Sequence, residues 1–198
     1  MVIPRPAIVF DRDGTLNEEV GYAGGPDRFH IFSYAAEAVR RVNAAGWAAV
    51  LVTNQAGVAK GLYDEAAVDG LHRLLAAHLA AGGARLDGIY YCPHHPNGTV
   101  AGYGMVCECR KPAPGMLRRA AAELALDLGA SWVVGDRRLD VGLAQAVGAR
   151  AVLVRTGYGE QELVGEPIEP PPDHIASDAL AAVEWIFRQP PVPPGGRP

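Results

Sequence analysis

A chain of 198 residues, 49% hydrophobic and 20% charged, has the size and make-up of one soluble globular domain with a core of its own. A formal net charge of −4 argues against a nucleic-acid partner, and no apolar run reaches the roughly 20 residues that span a bilayer. The first residues lack the apolar core of a signal peptide, so a cytoplasmic location is expected. In chain order, Ala7–Phe10 reads as a short buried strand that runs into Asp11-Arg12-Asp13-Gly14-Thr15. An irregular stretch over 17–33 leads to a helical pattern over 35–45 and a strand over 48–53 that ends in Thr53-Asn54-Gln55. The next helix is predicted over 64–81, with Ala67, Leu71, Leu74, Leu75, His78 and Leu79 on one stripe. A strand at Gly88–Cys92 precedes a long irregular segment over 93–114. Then follow a helix over 114–126, a strand over 131–135, a helix over 139–147, a strand at Arg150–Val154 and a helix over 178–188. Near-continuous apolar strands alternating with helices predict an α/β fold, a doubly wound, mainly parallel sheet of Rossmann type. This domain is expected over 1–188 without a large cap, and the Pro/Gly-rich tail 189–198 is expected to be disordered.

Ligands of an open parallel sheet bind outside the carboxyl ends of its strands. Three predicted strands end in chemically loaded residues: Asp11-Arg12-Asp13, Thr53-Asn54-Gln55, and Gly135-Asp136-Arg137-Arg138-Leu139-Asp140. Carboxylates held together call for a cation, and Asp with backbone oxygens suits Mg²⁺. One carboxylate can attack phosphorus. Another, two residues on, can serve as general acid and base. A threonine hydroxyl, backbone amides and a lysine can then receive the equatorial phosphoryl oxygens. The competing reading is a plain Asx turn; an EF-hand would need Gly sixth, and Gly14 is fourth. The order in which Thr53-Asn54, Lys111 and Gly135-Asp136 follow favours the chemical reading. Sixteen of the basic residues are arginine and only Lys60 and Lys111 are lysine, a hint that Arg110-Lys111-Pro112 needs an ammonium.

The three cysteines fall between 92 and 109, an odd number that argues against a disulfide framework. Cys92-Pro93-His94 and Cys107-Glu108-Cys109 form C-x-H…C-x-C, three thiolates and an imidazole, a complete tetrahedral zinc set. Residues i and i+2 of an extended chain point the same way, so both pairs can aim at one point. His95 is an alternative to His94, and three buried inert cysteines are the alternative to a metal. A closed Zn²⁺ site of Cys92, His94, Cys107 and Cys109 would be structural, bracing the loop 92–109 and fixing where Arg110 and Lys111 sit.

The four motifs, Asp11-Arg12-Asp13-Gly14-Thr15, Thr53-Asn54-Gln55, Arg110-Lys111-Pro112 and Gly135-Asp136 with Asp140, resemble the haloacid dehalogenase superfamily of aspartyl-phosphate phosphotransferases. The resemblance implies Asp11 as nucleophile and Asp13 as general acid/base. It further implies Mg²⁺ on Asp11, the Asp13 carbonyl and Asp136, with Thr53 and Lys111 stabilising the phosphoryl group. The zinc motif ahead of Arg-Lys-Pro is similar to the minimal heptose bisphosphate phosphatases of that superfamily, relatives of the histidinol-phosphate phosphatases, over roughly 6–188. This implies substrate contacts at Glu19, Val20, Gly21, Tyr22, Thr53, Asn54, Gln55, Ala56, Arg110 and Lys111. The implied reaction removes the 7-phosphate of a heptose 1,7-bisphosphate, a small phosphorylated metabolite, with no nucleic-acid or membrane partner, and a monomer suffices. Histidinol phosphate is the alternative substrate, a phosphoprotein a further one for an uncapped site, and an inactive zinc-stabilised binding module the reading from another class. Arg12 is expected to alternate away from the two aspartates into a structural ion pair, and Asp140 to orient Lys111 or a nearby water rather than bind metal directly. His72 and His78 are expected to do no chemistry, while Arg137, Arg138 and Lys60 are left open.

Overall fold

Strands covered on both faces must be apolar throughout. The computed structural model, which describes residues 3–190, contains such a sheet. Strands β1 (Ala7–Phe10), β2 (Ala48–Asn54), β3 (Gly88–Cys92), β4 (Trp132–Gly135), β5 (Arg150–Val154) and β6 (His174–Ala176) all pair in parallel, in the order β3-β2-β1-β4-β5-β6. Side chains alternate between the two faces, as the period of two requires. Ile8, Phe10, Leu51 and Val134 pack with α1 (Ala35–Ala44), α2 (Glu65–Ala81) and α6 (Ala179–Phe187). Ala7, Val9, Val50 and Val133 pack with α3 (Gly115–Leu124) and α4 (Arg138–Ala146).

The predicted elements are all present, with ends displaced by at most two residues. Asp64 and Asp178, read as first helical residues, are N-caps that accept the amides of Ala67 and Ala181, each at 2.8 Å. Ala125, at φ +52°, ends α3 early. The reading left out β6 and α5 (Gly159–Val164), three and six residues long, too short to show a period. It also misplaced the stripe of α2: Val68, Leu71, His72, Leu75 and Leu79 are buried, whereas Ala67 is half-buried and Leu74 and His78 are exposed. From residue 191 onward the predicted disordered tail lies outside the described residues. No described helix is long and apolar enough to cross a membrane.

The strand order reverses between β1 and β4, because the chain leaves β1 toward β2 and leaves β4 toward β5. A crevice opens at such a switch point, beyond the strand ends. Asp11 follows β1 directly and donates its amide to Val134 O at 2.9 Å, and Asp136 follows β4.

Candidate active site

Past β1 the chain turns at Gly14 (φ +79°), and a Cβ there would lie 2.2 Å from Asp136 Oδ2. Gly157 (φ +58°) faces it from the turn after β5, where a Cβ would lie 2.1 Å from the same oxygen. The two glycines let both turns close on the Asp136 carboxylate. Asp136 Oδ2 accepts the Tyr158 amide at 2.8 Å, whereas buried Oδ1 has no hydrogen-bond partner. A buried carboxylate oxygen without a donor is costly unless a cation meets it. Burial, then the charges of Asp11 and Asp140, push the Asp136 carboxyl up to about 8. Burial likewise raises Asp11 to about 7, against the opposing charge of Lys111. Oxygens of Asp11 and Asp136 lie within 4.8 Å of one another, so these residues fit a hard divalent cation.

Lys111, 3% exposed, reaches into the same place. Its Nζ lies 2.8 Å from Asp11 Oδ1 and 2.6 Å from Asp140 Oδ1, and donates to Val52 O at 3.0 Å. Burial alone would lower its pKa, but the two carboxylates raise it above the ordinary lysine value. Asn54 holds the lysine backbone, accepting the Lys111 amide (3.0 Å) and donating to its carbonyl (3.3 Å). Asp140 therefore stands where the sequence reading put it, orienting Lys111, while its Oδ2 accepts the Arg137 amide at 3.1 Å. With both oxygens so engaged, it is a weaker cation ligand than Asp136. A Cβ on Gly135 would meet Asp140 Cγ at 2.2 Å, so that glycine makes the approach possible.

Asp13 takes hydrogen bonds from Arg12, from Asn17 Nδ2 (2.9 Å) and from Gln55 Nε2 (2.9 Å). Burial pushes its carboxyl up, but the Arg12 charge and these donors outweigh it and hold it below the usual carboxylate value. Arg12 corrects the sequence reading. Its side chain does not alternate away but curls back onto Asp13, 2.9 Å from Oδ2, and it is buried. The backbone explains this: the amides of Thr15, Leu16 and Asn17 all turn in on the Arg12 carbonyl, so extended geometry ends there.

Above these groups opens a cleft of about 160 Å³. Its wall brings together Asp11, Asp13, Glu19, Gly21, Tyr22, Thr53, Asn54, Gln55, Ala56, Arg110 and Lys111, all expected from sequence. Buried Thr53 offers Oγ1, which accepts from Gln55 Nε2 at 3.0 Å. Val20 is the exception: it packs against the core, does not line the cleft, and its carbonyl accepts from Arg28 Nη2 at 2.6 Å. Asp136 sits beneath the wall, at the Asp11 end. Tyr63, Arg137, Leu139 and Tyr158 line the cleft without having been assigned a role. Arg137 and Leu139 belonged to a run already flagged, whereas neither tyrosine carried a local signal. Tyr63 donates to Gln55 Oε1 at 3.0 Å, and the Arg137 guanidinium lies 4.6 Å from the Tyr158 ring centroid. Lys60 donates to the Tyr22 hydroxyl outside the cleft wall.

Beside the cleft the cysteine loop gathers four ligand atoms. Cys109 Sγ lies 3.0 Å from Cys92 Sγ and 3.2 Å from Cys107 Sγ, and His94 Nδ1 lies 3.2 Å from Cys109 Sγ. All three cysteines are free, and the four atoms fall within 4.8 Å of one another. Such a set suits one tetrahedral metal ion. His94 rather than His95 joins it; His95 Nδ1 instead accepts the Asn97 amide at 3.1 Å. Arg110 Nη1 donates to His94 O at 3.2 Å, tying the loop to the cleft wall. Tyr91 and Tyr103 tie it to α2 through Glu65.

Residues 108–182 match the HAD-hydrolase-like family model. The chain is 44% identical to the D-glycero-D-manno-heptose-1,7-bisphosphate 7-phosphatase of Thermosynechococcus vestitus, over 93% of this chain and 96% of that one. It is 47% identical to the D-glycero-beta-D-manno-heptose-1,7-bisphosphate 7-phosphatase of Yersinia pestis, over 92% and 89%. Its fold superposes with a TM-score of 0.81, at 34% identity, on the crystal structure of D,D-heptose 1,7-bisphosphate phosphatase from B. bronchiseptica complexed with magnesium and phosphate. That match covers 92% of this chain and 98% of the other.

Proposed function

The chain belongs to the haloacid dehalogenase-like hydrolases, within the heptose bisphosphate phosphatase family, and we propose that it removes the 7-phosphate of D-glycero-D-manno-heptose 1,7-bisphosphate through an aspartyl-phosphate. An Asp11 carboxylate oxygen attacks phosphorus, the bond from phosphorus to the C7 oxygen breaks, and Asp13 gives that oxygen its proton. Asp13, now a base, takes a proton from the water that attacks the acyl phosphate, releasing inorganic phosphate and restoring Asp11. Lys111 and the Thr53 hydroxyl stabilise the charge that builds on the equatorial oxygens. Asp11, the Asp13 carbonyl and Asp136 would hold Mg²⁺, which when bound neutralises charge between nucleophile and phosphate. Cys92, His94, Cys107 and Cys109 would hold a structural Zn²⁺.

The observation that carries this reading is the buried, partnerless Asp136 Oδ1 beside an Asp11 already paired to a buried lysine. Glu19, Gly21, Tyr22, Asn54, Gln55, Ala56 and Arg110 are assigned to the sugar and its second phosphate. A cleft complete within one chain supports a monomer, and we place it in the cytoplasm.

The test is phosphate release with Mg²⁺ from heptose 1,7-bisphosphate and from histidinol phosphate, compared as kcat/KM. A clear preference for the heptose is expected, and Asp11→Asn should abolish release from both. A preference for histidinol phosphate would overturn the substrate. A wild type no more active than Asp11→Asn across a broad ester panel would overturn catalysis itself.

A further inference from the structure

Arg12 is buried more deeply than either aspartate it separates, at 1% exposure, and every arm of its guanidinium is committed. Nη2 reaches both oxygens of Asp13 (3.1 and 2.9 Å) and Gln55 Oε1 (3.0 Å), and Nε reaches Asp13 Oδ1 (3.2 Å). Nη1 faces His72 Nε2 at 3.3 Å, and the Phe29 ring centroid lies 5.3 Å from the guanidinium carbon. His72 is buried too, and burial together with the neighbouring Arg12 charge depresses its pKa to about 3. It is thus a neutral ring whose Nε2 accepts from Arg12. Fold stability is a poor reason for this assembly, since apolar side chains of similar volume often serve at least as well as a buried ion pair. Asp13 and Gln55, however, both line the cleft, and of the two Asp13 is the group assigned to proton transfer, so the assembly bears on the chemical step through that carboxylate.

We propose that Arg12, braced by His72 and Gln55, is a positioning residue for proton transfer: its two-point grip fixes the orientation of the Asp13 carboxyl toward the leaving oxygen. This rests on the phosphatase reading above. A planar guanidinium presents donors in a rigid fork that matches a carboxylate edge. A small misplacement of a transferring group is enough to cost a large factor in rate. In the first chemical step the Asp11 oxygen bonds to phosphorus, the phosphorus–oxygen bond to the leaving group breaks, and the departing oxygen takes a proton from Asp13, which the Arg12 charge otherwise keeps ionised and which first takes up that proton from solvent. A sugar alkoxide needs that proton, whereas p-nitrophenolate leaves without it. Loss of the grip therefore harms alkyl esters selectively, which a merely structural role for Arg12 would not do.

The experiment measures kcat/KM with Mg²⁺ for a sugar phosphate and for p-nitrophenyl phosphate. The proteins compared are wild type, Arg12→Gln, Arg12→Lys, His72→Phe and, as benchmark, Asp13→Asn. General acid–base catalysis contributes about 10²- to 10⁴-fold. Asp13→Asn and Arg12→Gln are accordingly expected to lose at least ~30-fold more on the sugar ester than on the aryl ester. Arg12→Lys should recover part of that selectivity, and His72→Phe should show the same bias more weakly. Equal fractional losses on the two esters, or none, would overturn the proposal. Should Arg12→Gln fail to fold, His72→Phe, which keeps the arginine, decides by the same ratio. If Asp13→Asn is itself unselective, the acid–base assignment falls and this inference with it; if only the Arg12 and His72 variants are unselective, this inference falls alone.

Discussion

Gly157→Ala tests whether the turn after β5 exists to let the Asp136 carboxylate come close. Two effects are separable in the structure. A non-glycine residue at φ +58° is strained whatever its surroundings, by about 1–2 kcal/mol. The new Cβ would also stand 2.1 Å from Asp136 Oδ2 and 2.6 Å from Gly14 Cα, so the carboxylate or the first turn must move. Gly148 separates the two, because it sits at φ +73° with nothing within 4 Å of its virtual Cβ. Gly148→Ala should lower the melting temperature by roughly 2–8 °C, since 1 kcal/mol corresponds to about 2–4 °C in a domain of this size. It should leave turnover and the Mg²⁺ concentration for half-maximal activity unchanged. Gly157→Ala should share that destabilisation and, in addition, weaken the Mg²⁺ requirement-curve midpoint by about 10- to 100-fold, the range seen when the surroundings of a metal ligand are disturbed. Thermal melts and Mg²⁺ titrations of both variants give the readout. If the Mg²⁺ dependence of Gly157→Ala matches that of Gly148→Ala, then Asp136 is not the cation ligand that its partnerless oxygen indicates.

Three further outcomes are expected. Cys107→Ser should lose bound zinc by elemental analysis and about 10-fold or more in kcat/KM, because Arg110 is tied to the loop at His94 O; full turnover in a verified zinc-free protein would disprove the coupling. Asp140→Ala leaves Lys111 with Asp11 as its single carboxylate, and breaking such a buried pair should cost about 3 kcal/mol in urea denaturation as well as kcat; a variant of wild-type stability would contradict the burial of that charge. Because burial and the Arg12 charge hold His72 near 3 while the unfolded ring titrates near 6.5, the unfolded state binds the proton first as pH falls. Stability is therefore complete above pH 6.5 and declines from there toward 3, by about 2 kcal/mol at pH 5. His72→Phe should flatten that part of the pH–stability curve, and an unaltered slope would show that the ring titrates normally.

The strands and the candidate site residues were legible because both follow from requirements local to the sequence. A strand covered on both faces has to be apolar, so each run ends visibly where a polar residue begins, and Asp11, Thr53 and Asp136 mark those ends. Metal and phosphate chemistry demands particular side chains, so Cys92 at the end of β3, and His94, Cys107 and Cys109 in the irregular loop beyond it, were readable as one set. What escaped notice is set by turns. Alternation holds only while the chain is extended, and it stops at Arg12, where three successive amides converge on one carbonyl and swing the side chain onto Asp13. The stripe of α2 was misjudged for a related reason. Helical period alone cannot rank Leu74 against His72, and the buried place goes to His72, whose acceptor faces the Arg12 guanidinium. Tyr63 and Tyr158 reach the cleft from turns after β2 and β5, with nothing in their own neighbourhood to mark them. The division is a physical one. Groups proposed to touch the phosphate are constrained in type and show in one dimension, whereas groups that hold them are constrained in position. Position depends on where Gly14, Gly135 and Gly157 allow two segments to meet, which emerges only once the segments are folded together.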